Sequence, residues 1–100
     1  MLKMLSILSL VLSFSVAASA KGNAAKGKAA AVTCIACHGA NGIGVTPMWP
    51  NLNGQKAAYL VKQLKDFKSG ARKDPSMGPM AKPLTPAQME DIAAYYSSLK

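Results

Sequence analysis

Cys34 and Cys37 are the only cysteines of this 100-residue chain, and His38, which follows directly, is its only histidine. The segment reads Cys34-Ile35-Ala36-Cys37-His38. Two thiols two residues apart lie within one turn of chain, with an imidazole beside them. That spacing suits thioether bonds from both sulfurs to the two vinyl groups of one haem. The imidazole of His38 then faces the iron as its proximal axial ligand. Three other uses of the pair compete. A thioredoxin-like redox couple belongs to a fold with strands, and the sequence has no alternating strand pattern. A zinc site needs four ligands, and no further Cys or His completes the set. A disulfide across so small a loop stabilises little. Haem is the chemistry that uses all three residues.

A second axial ligand has to come from elsewhere, and no second histidine exists. Methionine is the common alternative, and with His it raises the haem potential. Past residue 20 the candidates are Met48, Met77, Met80 and Met89. Met89 falls on the apolar stripe of the last expected helix, where a methionine fills core space. Met48 lies only ten residues after His38, on chain that must first wrap the proximal side. Met77 and Met80 occupy a Gly/Pro-rich segment between two helices that can cross the opposite haem face. From the residues alone, either of the two can be the ligand.

The elements that position these groups are helical. Residues 23–35 are rich in Ala and Lys and enter the cysteine pair directly. Residues 39–54 carry Gly42, Gly44, Pro47 and Pro50, which interrupt regular structure. A second helix is expected over 55–69, stopped at Gly70, with Leu60, Leu64 and Phe67 on one face and Lys62 and Lys65 opposite. The last helix is the best signalled. Thr85 is its N-cap, Pro86 takes the first helical position, and Gln88 completes a capping box. Met89, Ile92, Tyr96 and Leu99 form its apolar stripe. The expected fold is all-α, with three main helices wrapped around one covalently bound haem.

Residues 1–20 read as a secretory signal rather than as structure. Lys3 precedes an apolar run of about 15 residues, too short for the ~20 that span a bilayer, and Ala18-Ser19-Ala20 is a small-x-small cleavage site. The domain proper is therefore expected over 21–100, in the periplasm and without stable membrane insertion. The formal charge of +8 loses only Lys3 on cleavage and becomes +7. An exported chain does not meet chromosomal DNA, so no nucleic acid is expected as partner. An 80-residue chain is also short of core, and natural domains of that size add a metal, disulfide or cofactor.

Together these features resemble the class I c-type cytochromes, and in detail the small bacterial cytochromes of the c-four type and their single-haem relatives. The resemblance spans Lys21 to Lys100. It is carried by the haem motif, by Pro50-Asn51-Leu52-Asn53-Gly54-Gln55, by Tyr59-Leu60, by Gln63-Leu64 ahead of Phe67-Lys68-Ser69-Gly70, and by Leu84-Thr85 through Tyr96. In that family the axial methionine stands seven residues before the Leu that precedes the last helix. The resemblance thus implies Met77, with Met80 as the fallback. It implies that a proline carbonyl holds the second ring nitrogen of His38; Pro47 matches that position best, with Pro50 as the other choice. It implies close packing of the first and last helices, where Gly27 would admit Tyr96. Trp49 is expected near the haem, as a propionate donor or as a wall. Arg72 and Lys73 are candidate propionate partners, or solvated loop charges, the second reading being favoured.

The function implied is a soluble one-electron carrier with six-coordinate His/Met haem c, not an enzyme, acting as a monomer between respiratory partners. Those partners would be an electron-donating complex and a terminal oxidase or reductase. Lys56, Lys62, Lys65, Lys68 and Lys73 could steer it to acidic docking surfaces, or simply keep it in solution. The competing readings are a five-coordinate haem protein that binds a gas or peroxide, and a haem-free thiol–disulfide oxidoreductase.

Overall fold

Asn23 opens the first helix. Its side-chain oxygen accepts the Lys26 N–H at 3.0 Å, and α1 runs Ala24–Ala30. The chain then tightens into one 3-10 turn, Ala31–Thr33, and continues through Cys34 into α2, Ile35–His38. The single helix expected over 23–35 is thus three pieces, and the haem motif sits on the last of them. Tightening to three residues per turn changes the direction of the side chains just ahead of Cys34. The structure, a computed structural model, describes residues 21–100; the expected secretory signal, residues 1–20, lies outside the described residues.

Helix α3, Ala57–Ser69, ends at Gly70 with φ +84, a left-handed cap that glycine adopts without steric penalty. Its buried face is Leu60, Val61 and Leu64, while Phe67 is half-buried. A short helix α4, Met77–Ala81, follows where the sequence pattern suggested an irregular loop. Helix α5, Pro86–Ser98, starts with the expected capping box: Thr85 Oγ1 accepts from the Gln88 N–H at 3.2 Å, and Gln88 Oε1 accepts from the Thr85 N–H at 2.9 Å. Every regular element among the described residues is helical, as the pattern implied.

The core lies where α1, α3 and α5 meet, around Ala31, Leu64, Met89, Ile92 and Tyr96. Met89 is 2% exposed and fills core space, as its place on the stripe implied. The α1–α5 crossing is close enough that a Cβ on Gly27 would fall 1.9 Å from the Asp91 carbonyl oxygen and 2.9 Å from Tyr95 Cβ. The partner of Gly27 is therefore Tyr95 and the Asp91 backbone, not Tyr96 as expected. Asp91 and Tyr95 are four residues apart and share a face; Tyr96, one residue on, is rotated about 100° from it and is buried in the core. Asp91 also accepts the Asn23 N–H at 2.8 Å, which ties the start of α1 to the same face.

Candidate haem-binding site

The cysteine motif is held by backbone bonds. The Cys34 carbonyl accepts from the His38 N–H at 2.9 Å and the Ile35 carbonyl from Gly39 at 2.9 Å. This single turn puts both thiols and the imidazole at one end of the α1 segment. Cys34 and Cys37 are half-buried and are not joined in a disulfide. Burial pushes the Cys34 thiol up despite a bond from Thr33 that pulls it down, and the Cys37 thiol adds to the rise. A redox-active C-x-x-C pair works through a depressed thiol pKa, so this environment disfavours the thiol–disulfide reading.

His38 is 6% exposed. Its Nδ1 lies 2.8 Å from the Pro50 carbonyl oxygen, a geometry in which Nδ1–H donates and Nε2 is left for a metal. A bond of this kind fixes tautomer and ring orientation and raises ligand basicity. The acceptor is Pro50 rather than Pro47, and the path of the loop explains the difference. The Trp49 N–H donates to the Thr46 carbonyl at 3.2 Å, so Pro47 lies inside a surface turn. Gly42 then takes the chain back. Its φ is +75, and its carbonyl accepts from Leu52 at 2.7 Å and Asn53 at 3.0 Å. Asn51 Oδ1 accepts the Gly44 N–H at 2.8 Å. These bonds return residues 50–53, not residue 47, to the motif. Trp49 is half-buried and lines an open groove with Pro47 and Pro50.

The two methionines of the late segment differ in environment. Met77 is half-buried and packs against the core cluster, whereas Met80 is 46% exposed. Met48 is 85% exposed. Around Met77 the chain is held by side chains. Asp74 Oδ1 accepts the N–H groups of Ser76 and Met77, each at 2.8 Å. The Met77 N–H, with that of Ser76 second, holds the Asp74 carboxyl below its usual range. Lys68 Nζ donates to the Leu84 carbonyl at 2.5 Å. Arg72 donates to Gln63 Oε1 at 2.7 Å, and its guanidinium lies 4.6 Å from the Phe67 ring centroid. Arg72 is thus a strut between the loop and α3, not a free loop charge.

The residues present fit a covalently held haem. Two free thiols stand in thioether spacing beside an oriented imidazole. Tyr96, 1% exposed, has a buried hydroxyl with no hydrogen-bond partner among the described residues. Burial, with the Cys34 and Tyr95 side chains adding to it, pushes that phenol far above its ordinary range. A buried polar atom without a partner is rare in native proteins, and this one is in electrostatic reach of Cys34. Among the described residues no cluster of three or more His, Cys, Asp or Glu could hold a bare metal ion. The donor set suits an iron already carried by a macrocycle.

Two elements of the site have little or no signal of their own in the sequence. Asp74 followed by Pro75, a capping residue type and then proline like Thr85-Pro86, stands just ahead of the Ser76 N-cap of α4 and is the one local sign of that helix. The buried Tyr95 hydroxyl donates to the Ala40 carbonyl and joins α5 to the loop after the motif. Nothing in the local sequence marks that contact.

Comparison with known proteins agrees with this geometry. Cytochrome c-554(548) of Halomonas halodenitrificans is 48% identical over 80 residues, covering 77% of this chain and 96% of that protein. A thiosulfate dehydrogenase electron acceptor of Thiomonas intermedia is 49% identical over 71 residues, covering 70% of this chain and 33% of that protein. Among solved structures, reduced recombinant cytochrome c4 from Pseudomonas stutzeri superposes with a TM-score of 0.75 at 42% identity, over 79% of this chain and 46% of that one. The chain thus spans almost all of the Halomonas protein, and a third to just under a half of the two longer relatives. The family model described as cytochrome c matches residues 24–100, and with the thiol pair, the oriented His38 and the helical core in place, the chain belongs to the cytochrome c family.

Proposed function

We propose that residues 21–100 form a one-electron carrier, with haem c bound through Cys34 and Cys37 and ligated axially by His38 and Met77. The observation that carries this reading is the His38–Pro50 bond, which leaves the other ring nitrogen free to ligate the iron of a haem that the two unpaired thiols would hold through its vinyl groups. Haem supplies the ferric/ferrous couple. His38, fixed by the Pro50 backbone, and Met77, supported over exposed Met80 by its packing against the core, would hold the iron from its two sides. Trp49 is assigned to the wall of the haem pocket. With no open iron position, substrate has no access to the metal, so the chain acts by transfer and not as an enzyme.

The carrier works as a soluble monomer in the periplasm, with residues 1–20 removed as its export signal. No helix among the described residues is long and apolar enough to cross a membrane. Its partners are redox proteins. One relative is named as the electron acceptor of thiosulfate dehydrogenase, and a donor of that class, with a respiratory oxidase or reductase as acceptor, fits a small carrier. Lys56, Lys62, Lys65 and Lys68 are exposed along or next to α3, a basic surface that favours acidic docking faces. Encounters of this kind bury a small area, roughly below 1,200 Å².

Absorption spectra of the haem-loaded protein test the reading. A low-spin spectrum with the weak long-wavelength band of methionine-ligated ferric haem, unchanged by carbon monoxide after reduction, is expected. Prompt carbon monoxide binding would mean an open iron position and overturn the carrier assignment. Met77→Ala should abolish the long-wavelength band and Met80→Ala should keep it; the reverse pattern makes Met80 the ligand.

A further inference from the structure

Helix α4 is only five residues long, Met77–Ala81, below the length at which a helix persists by its own propensity. Its start needs an external hold, and Asp74 supplies one. The Asp74 carbonyl accepts the Gly78 N–H at 3.0 Å, closing a turn over residues 75–77 that leads into α4. The Asp74 carboxylate accepts the two N–H groups of that turn, from Ser76 and Met77, that have no acceptor inside it. The far end is fixed separately. Ala81 is fully buried, and its carbonyl accepts the Leu84 N–H at 3.1 Å. Upstream, the Arg72 N–H donates to the Asp66 carbonyl at 3.0 Å. Only Lys73 separates that anchor from Asp74.

The Asp74 side chain is exposed and buries nothing in the core. Its bonds go to the amide of Met77 itself and to that of the residue before it. We propose that Asp74 is a positioning residue for electron transfer: its carboxylate fixes the backbone from which the Met77 sulfur reaches the iron. This inference rests on Met77 being the axial ligand. A carrier that keeps both ligands through its redox cycle reorganises little, and a distal ligand on a frayed turn would yield its position to any competing donor. The carboxylate acts as an acceptor, so an amide oxygen at the same place does the same work.

The test uses haem-loaded ferric protein and imidazole as the competing ligand. Asp74→Ala should weaken the long-wavelength methionine band and raise the apparent imidazole affinity about fivefold, the factor that corresponds to a lost helix cap of ordinary strength. Asp74→Asn, which retains an oxygen acceptor, should stay within about twofold of the parent. An unchanged band and affinity in Asp74→Ala would overturn the proposal, as would Asp74→Asn behaving like Asp74→Ala. Met77→Ala separates the two levels. A band that survives in Met77→Ala removes the ligand assignment on which the proposal rests. A band lost in Met77→Ala but intact in Asp74→Ala removes the positioning role alone.

Discussion

The two sides of the haem site are built in different ways. On the His38 side the chain is fixed mainly by its own backbone, with the Asn51 and Tyr95 side chains adding one bond each. Gly42 receives Leu52 and Asn53, Val45 donates to the Cys37 carbonyl at 3.0 Å, and Gly54 donates to the Tyr96 carbonyl at 3.0 Å. The ligand ring itself is held by a backbone oxygen, that of Pro50. On the Met77 side a few backbone bonds (Arg72 N–H to the Asp66 carbonyl, Gly78 N–H to the Asp74 carbonyl, Leu84 N–H to the Ala81 carbonyl) are joined by more side-chain holds: Asp74 under the first turn, Arg72 across to Gln63 and Phe67, Lys68 to the Leu84 carbonyl. Backbone bonds survive most substitutions, whereas a side-chain strut disappears with one. The His38 side should therefore respond most strongly to a change of backbone geometry. The Met77 side should respond in small steps to many single changes, which suits the side proposed to supply the second iron ligand.

The largest effect expected is a break on the His38 side at Gly42. Its φ of +75 is strained for any L side chain, and an added Cβ would sit 2.7 Å from the Asn53 nitrogen and 2.9 Å from its Cα. Left-handed strain and overpacking together should lower the stability of Gly42→Ala by about 3 kcal/mol. Urea unfolding of the haem-loaded variant measures this. A loss below about 1 kcal/mol would show that the loop is free to shift, and the contrast between the two sides would fail.

A smaller effect is expected at Tyr95, the one side-chain hydroxyl that ties α5 to the His38 loop through the Ala40 carbonyl. Tyr95→Phe removes the donor without opening a cavity, and Ala40 is exposed, so its carbonyl regains water. The expected loss is about 1 kcal/mol, with the long-wavelength methionine band unaltered. A weakened band would mean that the His38-side loop and the Met77 segment are coupled through α5. At Arg72, on the other side, the order of effects should reverse. Arg72→Ala forfeits an exposed hydrogen bond and a cation–π contact, about 0.5–1 kcal/mol in stability, yet it should weaken the band visibly.

The same contrast governs what could be read from the sequence. The haem motif, the start of α5 and the burial of Met89 are local, because a fixed spacing or a cap followed by an apolar stripe is visible in one stretch of chain. The resemblance favours Pro47, and the structure uses Pro50, since the choice depends on where the Gly42 turn sends the loop. Helix α4 is hidden for another reason: five residues are too few to show an apolar period, although Asp74-Pro75 ahead of it resembles the Thr85-Pro86 signal that marks α5. The Gly27 contact went to Tyr95 because helix phase, one residue either way, decides which ring meets a neighbouring helix. Legibility fell where a side chain's partner lies far along the chain.

The smallest effect separates a strut from a mere contact. Lys62 Nζ lies 2.5 Å from Asp66 Oδ2, four residues on along α3, an ion pair shorter than many of the bonds that hold Met77. Lys62 is 67% exposed in its side chain, so water and salt screen the attraction, and ordering the long side chain offsets much of what remains. Such pairs on a helix surface contribute about 0.3–0.5 kcal/mol. They also link a helix to itself and so position nothing else. Lys62→Ala should change stability by less than about 0.5 kcal/mol, lose even that in high salt, and leave the methionine band and the imidazole affinity untouched. An effect on either spectroscopic reading comparable with that of Arg72→Ala would show that charge on α3 reaches the iron regardless of contact, and the division into backbone-held and side-chain-held faces would give way to an electrostatic one.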